Sequence, residues 1–120
     1  MAAKIGPKRL VVGAHYGLRD WLAQRVTAIV MAVYVVAFGL WAVLAVPPGY
    51  EAWAGLFAPL WMKVATLVVI AALIYHVWVG MREIFMDYVK PTGIRLLAYV
   101  LTILWLAACA VWSVQILWRV

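Results

Sequence analysis

From Val26 to Val46 the chain carries no charged side chain. An α-helix of about 20 apolar residues crosses a hydrocarbon core about 30 Å thick. Two more such stretches follow, so three spans are expected at about 26–46, 60–80 and 96–117. Each must be helical, because an amide without a partner costs several kcal/mol in lipid. Pro47-Pro48-Gly49 ends the first span and Pro91-Thr92-Gly93 marks the turn into the third. Proline cannot continue the helical ladder and glycine favours turns. Lys63 stands near the start of the second span, where its stem can snorkel outward. Residues 47–59 read as a short connection carrying Glu51.

Composition agrees. The chain is 70% hydrophobic and 12% charged, against roughly half and a quarter in soluble domains. The expected fold is therefore an all-α membrane protein, one domain over residues 1–120 with three transmembrane helices. The net charge of +6 is clustered: Lys4, Lys8, Arg9, Arg19 and Arg25 precede the first span, and Arg82, Lys90 and Arg95 surround the second connection. The 47–59 connection has neither Lys nor Arg, and the C-terminal flank has Arg119. Positive charge stays on the cytoplasmic side, which predicts a cytoplasmic N-terminus and a periplasmic C-terminus. The basic balance fits anionic lipid rather than nucleic acid.

Residues before Val26 are too polar for a cleavable signal peptide. Gly6-Pro7 and Gly13 argue against a long early helix, and from Gly17 to Arg25 an amphipathic lead-in is expected, with Trp21 as an interface anchor. Trp41, Trp53, Trp61, Trp112 and Trp118 fit one aromatic belt, Trp21 and Trp78 the other, and Trp105 is left mid-span as packing. The single Cys109 allows no internal disulfide, and no Cys-x-x-Cys-His exists for covalent haem attachment. Hydrolase nucleophile arrangements and phosphate-binding glycine loops are missing too. Electron transfer through a bound cofactor is the chemistry left.

His76 lies inside the second span. Ionisable groups there are expensive and face the protein interior. The residue reads either as an axial ligand to haem iron or as an imidazole bonded to a neighbouring helix. One histidine supplies one axial ligand, so a six-coordinate haem needs a second chain. Gly80, one turn on, allows close approach of a flat macrocycle or a helix. Asp87-Tyr88 follows at the water boundary. Eleven residues after His76, Asp87 faces the same way, about 16 Å further along the axis if the helix continues. A phenol donates to a carbonyl oxygen and a carboxylate relays protons, which suits a quinone; the alternative is an ordinary interfacial Tyr beside a solvated Asp. Arg25 reads either as a partner for a carboxylate such as a haem propionate or as a positive-inside anchor. His15 is expected to face solvent, and Glu51 and Lys63 to be structural.

His76-Val-Trp-Val-Gly80 followed by Asp87-Tyr-Val-Lys-Pro91 closely resembles the hydrophobic membrane-anchor (D-type) subunits of succinate dehydrogenase, respiratory complex II. Gly17-Leu-Arg-Asp20-Trp-Leu-Ala-Gln-Arg25-Val-Thr27-Ala28 resembles that family's lead-in to its first span, although relatives often have histidine where this chain has Arg19. The resemblance implies a subunit without independent activity in a succinate:ubiquinone oxidoreductase of the tricarboxylic acid cycle and aerobic electron transport. It implies a cytochrome b membrane subunit as partner, with an iron–sulfur subunit and an FAD-bearing flavoprotein on the same membrane face as the N-terminus. His76 would ligate the iron of haem b, shared with the cytochrome b chain. Tyr88 would hydrogen-bond ubiquinone with Asp87 beside it, and Arg25 would lie near the haem propionates. The short leader favours a bacterial inner membrane. Two alternatives stay open: a fumarate reductase anchor, and a three-span structural or assembly protein without cofactor.

Overall fold

The computed structural model describes residues 13–120, and their side chains from Gly17 onward. The expectations for Lys4, Lys8, Arg9, Gly6-Pro7 and the His15 side chain lie outside the described residues. Among the described residues there are four helices: α1 (Gly13–Ala45), α2 (Tyr50–Phe57), α3 (Leu60–Tyr88) and α4 (Thr92–Arg119). Three of them, α1 from Gly17, α3 and α4, are long and apolar enough to cross a membrane. The expected all-α, three-span architecture is therefore present, with one short helix added.

In helix α1 the expected lead-in and the first span are one helix of 33 residues. A glycine costs about 1 kcal/mol against alanine in a helix, and Gly17 meets that cost inside a helix already nucleated, where each further residue adds a hydrogen bond. The helix stops where proline removes the next donors; the last bond runs from the Val46 amide to the Ala42 carbonyl. Gly49 then takes φ +126°, a conformation L side chains rarely adopt, and turns the chain into α2. Glu51 sits in the first turn of α2, where negative charge suits the helix dipole.

Helix α3 opens after Pro59, whose carbonyl accepts from the Met62 and Lys63 amides. It runs to Tyr88, beyond the expected end of the span at Gly80, so Arg82, Glu83 and Asp87 are helical. The charges leave the hydrocarbon on the same helix rather than in a loop. Val89 is extended, and Pro91 caps α4. Helix α4 likewise begins at Thr92, before the expected span, and carries Arg119 in its last turn, as the dipole favours.

Helix α3 is the central element. Helices α1 and α4 pack along it, and α2 rests on it. At the α2 end, Phe38 stacks on Tyr34 at 5.4 Å and meets Phe57 at 5.4 Å and Trp53 at 6.3 Å. Lys63 reaches the Val120 carbonyl oxygen at 3.4 Å and lies over the Trp118 ring, tying the start of α3 to the end of α4. At the other end, Tyr99 of α4 meets Trp78 and Phe85 of α3 at 5.9 and 6.0 Å. The interior is thin: Ala42, Met62, Val79, Leu106 and Leu117 are its buried apolar residues, with Thr66 among them. Trp105 is 72% exposed, so the packing expected for it does not come from this chain. Such apolar outer faces suit lipid or partner helices, since hydrocarbon replaces water there.

Candidate functional site

A ladder of polar contacts joins α1 to α3. Thr66, the one buried polar residue among those described, bonds through its hydroxyl to the Tyr34 phenol at 2.8 Å. Toward the far end, Thr27 Oγ1 lies 3.0 Å from His76 Nδ1. One turn later, a Cβ built on Gly80 would meet Gln24 Nε2 at 3.7 Å. Beyond that, Arg82 forms an ion pair with Asp20. These contacts run antiparallel: residue numbers rise on α3 as they fall on α1. A groove of about 490 Å³, lined by Tyr34, Phe38, Trp41, Trp61 and other apolar side chains, opens at the opposite end of the same interface. Its lining offers almost nothing polar.

Two buried polar atoms in the ladder, Gln24 Oε1 and Arg82 Nε, have no partner among the described residues. They lie on the stretch between His76 and the Asp20 pair, so this part of the interface holds unspent hydrogen-bonding capacity.

His76 is half-buried. Its bond to Thr27 uses Nδ1, and none of the described residues bonds Nε2. The ring is thus tethered through one nitrogen while the other is free. That arrangement fits an axial ligand to haem iron, whose non-ligating nitrogen is characteristically held by a hydrogen bond. Among the described residues there is no group of three or more His, Cys, Asp and Glu able to enclose a metal ion by itself. A porphyrin, which supplies four donors of its own, asks less of the chain.

The unbroken run of α3 puts Asp87 on the His76 face, about 16 Å further along. Asp87 and Tyr88 end the helix and are both exposed, Tyr88 at 80%. Neither forms a hydrogen bond with the described residues, so the phenol is uncommitted. Arg25 lies two residues before Thr27, roughly 200° around α1. Its guanidinium rests over the Trp21 ring at 5.3 Å and is otherwise exposed. Within this chain, then, Thr27 reaches His76 and Arg25 does not.

Thr27, Gln24 and the Asp20–Arg82 pair were not legible as site residues. A threonine in an apolar run reads as packing, and a lone acid among basic residues reads as solvated. Their signal is the spacing Asp20, Gln24, Thr27, which repeats at three and four residues and marks one helix face.

The fold and the ladder define a three-span membrane protein with one imidazole held in its helix interface and an Asp–Tyr pair at the helix end. The chain belongs to the succinate dehydrogenase/fumarate reductase transmembrane subunit family, whose model matches residues 1–112. It is similar to the succinate dehydrogenase hydrophobic membrane anchor subunit of Coxiella burnetii, 41% identical over 102 residues that cover 85% of this chain and 89% of the relative.

Proposed function

We propose that this chain is the hydrophobic anchor of a succinate:ubiquinone oxidoreductase in a bacterial inner membrane, with its N-terminus cytoplasmic and its C-terminus periplasmic. It has no activity of its own. It pairs with a cytochrome b subunit, and together they hold the iron–sulfur subunit and the FAD flavoprotein at the membrane surface. The 41% identity to a succinate dehydrogenase anchor favours succinate oxidation over the fumarate reductase direction.

The observation that carries this reading is the free Nε2 of His76, on a ring tethered through Nδ1 and half-buried against α1. It suits haem b iron, with the second axial ligand from the cytochrome b chain. When bound, haem b provides a one-electron redox centre beside the quinone site. His76 would hold it through Nε2, and the exposed Arg25 guanidinium would be available to a propionate carboxylate. Tyr88 donates a hydrogen bond to a carbonyl oxygen of ubiquinone at the membrane edge. The Asp87 carboxylate beside it relays protons, since two protons accompany the two electrons that make the quinol. The uncommitted phenol and carboxylate at the end of α3 support these roles.

Affinity purification of the tagged chain in mild detergent tests the proposal. The three partner subunits should co-elute with succinate-dependent ubiquinone reduction. Elution of the chain without them, or with a complex that does not act on succinate, would contradict it.

A further inference from the structure

Thr27 Oγ1 has more neighbours than one hydroxyl proton can serve. It lies 2.6 Å from the Ala23 carbonyl oxygen, 3.2 Å from the Gln24 carbonyl oxygen and 3.0 Å from His76 Nδ1. Both carbonyls are acceptors, and a hydroxyl has a single O–H with two lone pairs. The proton goes to the Ala23 carbonyl, the shortest contact. A lone pair then faces His76, so the imidazole must be the donor: Nδ1 carries the hydrogen and Nε2 the lone pair.

We infer that Thr27 is a positioning residue that fixes His76 in the Nδ1–H tautomer and so presents the Nε2 lone pair for ligation. The inference rests on the haem-ligand reading above. The direction follows from the chain of donation. The backbone of α1 fixes the hydroxyl, the hydroxyl accepts from Nδ1–H, and an imidazole that donates a hydrogen bond is a stronger ligand at its other nitrogen. A stronger donor favours ferric over ferrous iron. Loss of the hydroxyl should therefore weaken haem retention and raise the haem reduction potential. Removing such supporting partners typically lowers metal affinity about 10- to 100-fold. A tenfold change in the ferric/ferrous balance corresponds to about 59 mV for a one-electron couple.

The test uses the intact complex carrying Thr27→Val, which keeps the branched shape, and Thr27→Ser, which keeps the hydroxyl. Haem content, the low-spin electron paramagnetic resonance signal and a potentiometric titration are read for each. Thr27→Val should shift the potential upward, or lose haem from an otherwise assembled complex, while Thr27→Ser stays near the parent. Parent-like potential and signal in Thr27→Val would overturn the inference, as would equal damage from both variants, because serine retains the acceptor. A parent complex without haem would instead overturn the ligand reading itself, a separate outcome.

Discussion

Replacing Asp20 with alanine removes the carboxylate that holds Arg82 and should loosen α1 from α3 near the N-terminal end of α1. Arg82 is six residues past His76, about 9 Å along the helix, so this ion pair is the clamp nearest the Thr27–His76 contact. Its size can be bracketed. Exposed ion pairs contribute about 0–1 kcal/mol, whereas removing one partner of a fully buried pair costs about 3–5 kcal/mol. Here the side chains are 31% and 29% exposed, between those regimes, and Arg82 Nε is already buried without an acceptor. We expect Asp20→Ala to cost about 1–3 kcal/mol. Arg82→Met, which keeps the apolar stem, should cost less, because it also removes the unpartnered Nε. The double variant should be milder than the sum of the two, with a coupling of about 1 kcal/mol or more. The assay compares the thermal midpoints of the detergent-solubilised complex for the parent, both single variants and the double. Strict additivity, or unchanged midpoints in both single variants, would refute the clamp. Added salt should move these midpoints little, since a partly buried pair is weakly screened.

Tyr88→Phe should leave the thermal midpoint unchanged, because Tyr88 is 80% exposed and its phenol has no partner among the described residues. Its expected effect falls on quinone: loss of one hydrogen bond of about 0.5–1.5 kcal/mol, roughly a two- to twelvefold fall in kcat/KM for ubiquinone, with electron transfer from succinate to a soluble dye retained. Normal quinone kinetics would remove Tyr88 from the site. Gly80→Ala should be tolerated, with haem content kept and a gain of up to about 1 kcal/mol from helix propensity, because the added Cβ meets only Gln24 Nε2 at ordinary contact distance. A drop in midpoint or haem content would mean that Gly80 is pressed by a partner the chain alone does not contain.

The three spans were legible because lipid demands long charge-free helices, and few chains can hide that. Their ends were less so. Hydropathy marks where the hydrocarbon stops, whereas α3 and α4 continue through Arg82–Tyr88 and Thr92–Arg95 because backbone hydrogen bonds do not stop at the lipid boundary. Helix α2 went unread because residues 50–57 are too short for a periodic signal and are held partly by Phe57 and Trp53 packing on Phe38. His76, Asp87 and Tyr88 stood out as polar groups on one apolar helix, and the face shared by His76 and Asp87 followed from spacing alone. Thr27 did not. Its role depends on the antiparallel register of α1 against α3, set by contacts such as Tyr34–Thr66, and no pattern within α1 reveals that register.

The central claim is that His76 gives its free nitrogen to haem iron. The most direct measurement is the optical and paramagnetic spectrum of the purified complex before and after His76→Ala. The parent should show a low-spin, doubly histidine-ligated haem, and the variant a high-spin haem or none. An unchanged low-spin spectrum in His76→Ala would contradict the claim.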